Sequence, residues 1–331
     1  DIVISEPPAI TIDNTTTTSV TCNGGSDGSI TVSATGGSGS LSYTLQPDGI
    51  TNGTGEFTGL DAGTYSVEVT DEQDCGPIST GDISVTEPAA LSITSSSSSF
   101  VTCNGGSDGS ITLSATGGSG TLTYTLQPDG ISNSTGEFTG LDAGTYSVDI
   151  TDENGCGPLT SSDFIITEPD PITITDTSTT PVSCYAAGDG SVAVTASGGS
   201  GSLSYTLQPD GISNSTGEFT GLDAGTYTIE VSDEEGCGPV TTGDMTISEP
   251  TAVDITSATV NDIACNGGTS GSISVTAEGG TSPLTYVLQP LGMTNSTGEF
   301  TGIHAGTYTV EVTDANGCGP ADTTLEIVEP D

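Results

Sequence analysis

Apolar residues fall at every second position through several short stretches of this chain. Ile111, Leu113 and Ala115 alternate with hydroxyl residues over Ser110–Ala115, Leu122, Tyr124 and Leu126 do so over the next stretch, and Tyr146, Val148 and Ile150 do so over Gly144–Ile150. A period of two with one apolar face is the signature of a half-buried β-strand. The intervening segments are turn chemistry: Asn104–Gly109, Gly117–Gly120, Pro128-Asp129-Gly130 and Asp152–Gly155. Leu91-Ser92-Ile93 opens a further strand after Glu87-Pro88, and a serine run leads from it to Phe100-Val101-Thr102-Cys103. The segment Gly136–Leu141 adds another strand, and no stretch carries a helical period. Short strands with turns every 8–12 residues predict an all-β chain of antiparallel β-sandwiches.

The pattern is written four times. Cys22, Cys103, Cys184 and Cys265 stand 81 positions apart, and Cys75, Cys156, Cys237 and Cys318 keep the same step. So do Tyr43, Tyr124, Tyr205 and Tyr286, and Phe57, Phe138, Phe219 and Phe300. A fixed long period marks one structural unit per copy, with function residing in the array. The units run over 8–88, 89–169, 170–250 and 251–331. Residues 1–7 match the end of a unit: Asp1-Ile2-Val3-Ile4-Ser5-Glu6-Pro7 parallels Ile83–Pro88 and Ile165–Pro169, so the segment reads as part of a longer array.

Leu141-Asp142-Ala143-Gly144-Thr145-Tyr146 resembles the tyrosine corner of immunoglobulin-like domains, in which a tyrosine hydroxyl bonds back to the main chain. The cysteine that usually follows two residues later is absent, so the expectation is four immunoglobulin-like modules in line without the usual inter-sheet bridge. Together, Cys22–Thr31, the Gly-Gly-Ser-Gly run before Tyr43, Ala62–Asp71 and the closing Glu-Pro resemble the SprB repeat of giant surface adhesins of gliding Bacteroidetes. The resemblance covers all four units. It implies export by the type IX system, display on the cell surface as long filaments, and a part in gliding or attachment. The third unit departs from it with Cys184-Tyr185-Ala186-Ala187-Gly188, and the fourth has Ser270 where the others have Asp.

Composition narrows the partners. The chain has no Lys or Arg, 44 Asp and Glu, and a formal charge of −44. Without a cation it cannot neutralise phosphates, which excludes nucleic acid, and it has no attraction for anionic lipid. No apolar run reaches the roughly 20 residues of a membrane span, so no membrane insertion is expected. At an estimated 35–40 Å per module, the charge density comes within a factor of about three of duplex DNA. Such carboxylates make a soluble, mutually repelling surface.

Paired cysteines suit an oxidising, extracellular setting. The reading preferred from the sequence is a bond within each repeat: Cys22–Cys75, Cys103–Cys156, Cys184–Cys237 and Cys265–Cys318. Bonded Cα atoms must lie within about 7 Å. That requires Ile10–Asp13 and Ser19–Thr21 to fold back on each other across the threonine run, because a single strand would carry Cys22 to the far end of the module. The alternative joins neighbours, as Cys22–Cys156 and so on, and leaves Cys75 and Cys265 for adjoining repeats.

No cofactor is expected, apart from structural Ca²⁺ at the joints. Asp71, Asp152, Asp233 and Asp314 open the last hairpin of each module, while Glu6, Glu87, Glu168 and Glu249 precede the linker proline. If the modules stand in line, the two sets approach each other with oxygens for a hard cation. The Asn-Gly-Gly-Ser-Asp-Gly loop is a second candidate. Asn52, Asn133, Asn214 and Asn295 each head an Asn-x-Thr sequon, with Asn14 a fifth, and would be acceptors in a glycosylating secretory route. His304, the single histidine, replaces Asp61, Asp142 and Asp223 in a turn, so no catalytic device repeats with the units and no enzyme is expected. The resulting expectation is a non-catalytic segment of an extracellular cell-surface filament. Its partners would be neighbouring repeats or sibling filaments, with a surface or glycan ligand at a tip beyond this sequence. Two alternatives stand beside it: carbohydrate-binding modules, or a subunit that polymerises by addition of the strand Asp1–Ser5.

Overall fold

The computed structural model describes residues 5–331. In the first module β1 (Thr11–Thr18), β2 (Gly28–Thr35) and β5 (Glu56–Leu60) make one antiparallel sheet in the order β1-β2-β5. The facing sheet has the order β4-β3-β6-β7, from β3 (Leu41–Gln46), β4 (Ile50–Asn52), β6 (Gly63–Asp71) and β7 (Ile78–Ser79). A short β8 (Ile83–Val85) pairs with the start of β6. The same elements recur in the other modules, except that in the fourth one continuous strand, Ala321–Ile327, replaces the last two. All described regular structure is β, in immunoglobulin-like sandwiches of three strands on four or five.

Alternation builds the core. Along β6 the apolar side chains Tyr65, Val67 and Val69 turn inward, and on β2 Ile30 and Val32 meet them from the other sheet. Leu45, Val67 and Val69 have no exposed surface, and each such side chain contributes about 1.5–3 kcal/mol of burial. Val67 stands two residues after the corner tyrosine, where antibody domains carry a cysteine, and fills that space with packing instead. Each module has its own cluster of this kind. Tyr43, Phe57 and their equivalents are buried within these clusters, which removes them from any ligand platform.

The tyrosine corner is present in every module. The hydroxyls of Tyr65, Tyr146, Tyr227 and Tyr308 donate to the carbonyls of Asp61, Asp142, Asp223 and His304 at 3.0–3.2 Å. Only a main-chain carbonyl is asked of position 304, so histidine serves there as well as aspartate.

The threonine run departs from the sequence expectation, because it does not fold the chain back. Thr11–Thr18 is a single strand, paired along β2 from Thr11↔Thr35 to Thr18↔Ser29 with one bulge. Its burial pattern is almost wholly exposed, as is that of its serine-rich counterpart Ser92–Ser99. Threonine favours extended backbone, and cross-strand hydroxyl pairs such as Thr18···Ser29 and Ser99···Ser110 replace apolar contacts along this edge. Eight residues at ~3.3 Å each carry the chain about 25 Å, from one end of the module to the other.

The described chain divides into two compact units, Asp1–Glu168 and Pro169–Asp331, each holding two modules. The strand expected over Asp1–Ser5 lies outside the described residues but for Ser5, which is not in a strand.

Candidate functional site at the module joint

Beyond β1 the chain enters a tight loop that carries the first cysteine of each repeat. In the first module Val20 N–H donates to Thr86 O at 2.8 Å, and Asn23 Nδ2 donates to Pro88 O at 3.0 Å. Gly24 N–H donates to Glu87 Oε2 at 2.5 Å. Inside the loop, Asp27 accepts both the main-chain N–H and the hydroxyl of Thr21. These bonds clamp Cys22 onto the closing Glu-Pro of its own module, at the end facing the next one. The clamp recurs through Glu168 on Gly105, Glu249 on Ala186 and Glu329 on Gly267. The residue gripped by the glutamate has φ of +70° to +72° in three modules, which explains the glycine there. Ala186 takes the same left-handed conformation at φ 58°, at a cost of about 1 kcal/mol.

The opposite end of each module presents the β6–β7 hairpin. Asp152 Oδ1 accepts the N–H groups of Asn154 and Cys156, both at 2.9 Å, and its Oδ2 accepts Ser119 N–H at 2.8 Å. Asp71, Asp233 and Asp314 repeat this arrangement. These main-chain donors, with Ser119 N–H foremost for Asp152, hold the carboxyls below the ordinary aspartate value. The aspartate thereby fixes where the second cysteine points.

Loop and hairpin meet within each unit. Cys22 is bonded to Cys156 with Cα atoms 5.5 Å apart, and Cys184 to Cys318 with Cα atoms 5.6 Å apart. Both bonds span 134 residues and run from one module to the next. The within-repeat pairs Cys22–Cys75 and Cys184–Cys237, and with them Cys103–Cys156 and Cys265–Cys318, are therefore corrected. The single strand β1 is the physical reason, since it separates the two cysteines of a repeat by the length of a module. Cys103 and Cys237 are also disulfide-bonded, whereas Cys75 and Cys265 are free and exposed. Around each bond the fit is close: the Cys156 sulfur lies 3.5 Å from Thr21 O, the Cys318 sulfur 3.5 Å from Ser183 O, and Asn316 Nδ2 donates to Ser183 O at 2.9 Å. A bond closing so long a loop restricts the unfolded chain by about 5 kcal/mol on chain-entropy reckoning.

The acidic residues singled out for Ca²⁺ thus have other partners. The four aspartates are engaged by main-chain N–H groups, and Glu87, Glu168 and Glu249 grip the cysteine loops. Glu6 lines the hollow beside Cys75. Among the described residues no three or more His, Cys, Asp or Glu side chains converge as a metal set. Asp27, Asp108 and Asp189 of the second candidate loop each serve the residue preceding a cysteine, and Ser270 fills the role more weakly, at 3.4 Å from Ala264 N.

The recurring sequon asparagines have a structural task of their own. Asn133 Oδ1 accepts the N–H groups of Thr135 and Gly136 at 3.0 and 2.7 Å, and its Nδ2, the atom a glycan would take, donates to Glu137 O at 2.9 Å. Asn52, Asn214 and Asn295 do the same. The turn between β4 and β5 accounts for the repeated asparagine without a glycan.

Tandem immunoglobulin-like sandwiches, joined in pairs by disulfides that pass from one module into the next, define a repetitive structural array. The SprB repeat family matches it four times, over residues 14–49, 95–130, 177–211 and 257–293, once in each module. Each of the four modules carries one match to the SprB repeat. No curated protein matches it. Solved structures similar to it include Sidekick-1 immunoglobulin domains 1–5, at 15% identity and TM-score 0.31, covering 96% of this chain and 77% of that one. The surface layer protein SbsC, domains 1–6, matches at 12% identity and TM-score 0.26, over 97% of this chain and 54% of that one. Chicken CNTN1 FN1–FN3 domains match at 14% identity and TM-score 0.27, over 73% and 98%.

These contacts set two measurable outcomes. Because the folded Asp152 titrates below its unfolded value, its contribution is complete above about pH 4 and is lost as pH falls through the lower folded value. Asp152→Asn lowers the urea midpoint of the first unit at pH ~6, and the gap from wild type narrows as pH falls below the ordinary aspartate value. Asn133→Ala leaves two N–H groups without their acceptor and destabilises the second module by about 1–2 kcal/mol in the same assay, with expression in a host that cannot glycosylate.

Proposed function

We propose that this chain is a load-bearing, non-catalytic segment of a repetitive cell-surface filament of the adhesin type. One observation carries the reading: in both units the covalent connection between modules runs through a disulfide as well as through the peptide linker. The four matches to the SprB repeat support placement at the cell surface, and the oxidised cysteines support an extracellular setting. The array's task is to hold an adhesive element away from the cell while transmitting force to it, in attachment or in gliding, after export by the type IX route.

Tension applied at the ends takes the shortest covalent path. With Cys22–Cys156 and Cys184–Cys318 closed, that path is 1–22, 156–184 and 318–331, and the stretches 23–155 and 185–317 lie inside closed loops. Modules can unfold without the filament lengthening by their contour. The chain's lack of Lys and Arg removes every trypsin-type cleavage site, which suits exposed material.

Single-molecule pulling tests this. The oxidised chain extends to about 220 Å and, after reduction, to about 1,100 Å. Equal limits in the two states would remove the load-bearing role. Immunogold labelling of intact producing cells checks the placement, and label confined to the cell interior would contradict it.

A further inference from the structure

The two stapled joints repeat one design, but their disulfides are covered to different degrees. In the first unit the hollow beside Cys22–Cys156 has a volume of about 220 Å³, and Leu91 and Leu159 form part of its wall. In the second unit Val253 and Ala321 stand at the corresponding positions, two repeats later, and the hollow beside Cys184–Cys318 opens to about 440 Å³. The side chains account for the direction of the change, since each replacement takes carbon atoms out of the wall. The sulfur-bearing residues follow suit. Cys156 is buried, at 9% exposure, whereas Cys318 is half-buried. Tyr185, which takes the place of Asn23, lines the wider hollow but is itself 58% exposed, so it does not restore the cover.

Charge differs in the same sense. The hairpin that carries the second cysteine of a repeat has a glutamate three residues ahead of it in the first three modules, Glu72, Glu153 and Glu234, and Ala315 in the fourth. Glu153 lies over Gly120, where a side-chain carbon would run into its carboxylate. In the fourth module Ser282 replaces that glycine where Ala315 replaces the glutamate, so seat and occupant change together. The attacking species in disulfide exchange is a thiolate, and like charges repel over a Debye length of about 8 Å at physiological salt. A thiolate approaching Cys156 meets the Glu153 carboxylate, which has no counterpart in the hairpin of Cys318.

We propose that Cys184–Cys318 is a reducible joint and Cys22–Cys156 a durable one, so that a small thiol of the glutathione class opens the second unit while the first stays stapled. The first thiolate attacks the more exposed sulfur, that of Cys318, forming a mixed disulfide and releasing Cys184 as a thiolate. A second thiolate attacks the small-molecule sulfur of that mixed disulfide and releases Cys318. The two protons of the small thiols end on the two cysteines, and the electron pair they give up leaves them joined as one small disulfide. Opening this bond adds the stretch 185–317 to the tension path, a consequence that rests on the load-bearing reading above. The order of reduction rests on the joints alone, so the two readings can fail separately.

The test uses the full chain with Cys75 and Cys265, both free and exposed, first blocked by N-ethylmaleimide. Dithiothreitol is added at pH ~8, samples are stopped with excess iodoacetamide, and the peptides bearing Cys156 and Cys318 are followed by mass spectrometry. Cys318 is released about fivefold faster than Cys156, at rates proportional to the dithiothreitol concentration. Equal rates, or Cys156 released first, would overturn the proposal. So would rates that level off as dithiothreitol rises, which is the mark of reduction limited by unfolding. Two variants check the cause. Ala321→Leu, which gives the second joint the side chain of Leu159, slows release of Cys318 about twofold or more, and a poorly folded variant would do the reverse. Glu153→Ala speeds release of Cys156 about twofold at ~0.01 M salt and has little effect at ~1 M. Unchanged rates in both variants would also overturn it.

Discussion

Everything at the joint depends on where β1 delivers the chain. A single eight-residue strand takes the first cysteine of a repeat away from the second, and the clamp to the closing Glu-Pro then fixes it against the following module. On the receiving side a buried aspartate aims the hairpin cysteine through three main-chain hydrogen bonds. Each half is held by hydrogen bonds within its own module. This division of labour explains why the repeated acidic residues cluster near the cysteines.

The absence of lysine and arginine sets a second constraint. Carboxylates that in most proteins would pair with Lys or Arg must find neutral donors. Here they take main-chain N–H groups, threonine and serine hydroxyls, and cross-strand amides such as Gln127 on Asp149. Among the described residues no buried side-chain polar atom lacks a partner. The remaining charge stays on the surface, where mutual repulsion keeps such arrays from collapsing on one another. Covalent staples are well matched to this situation, because they hold modules together against a repulsion that no salt bridge offsets.

Much of the module was legible in its alternation. Tyr146, Val148 and Ile150 gave a strand, Leu141–Tyr146 gave the corner, and the period gave the repeat. The disulfide pairing was not legible, because it hangs on whether a run of exposed threonines or serines is strand or turn. Burial periodicity says nothing about a strand with almost no buried face. Thr15–Thr18 and Ser95–Ser99 are held by main-chain pairing to β2 and its counterpart, which only the three-dimensional neighbour reveals. The sequons and the joint carboxylates are ambiguous as signals for a related reason. Asn, Asp and Glu are the residues a glycan or a cation would need, and they are also the residues that cap turns. Spacing alone does not separate the two uses. The loop aspartate Asp27 carried a faint signal, since its loss at Ser270 coincides with a weaker bond at that position.

Disulfide mapping of the unreduced chain tests the account most directly. Digestion with a protease that cuts after Glu and Asp, followed by mass spectrometry, separates the peptides bearing Cys22, Cys75 and Cys156. The structure requires Cys22 linked to Cys156 and Cys184 to Cys318, with Cys75 alkylated by a thiol reagent added before digestion. A Cys22–Cys75 peptide would contradict the single-strand geometry of β1 and with it the covalent joint.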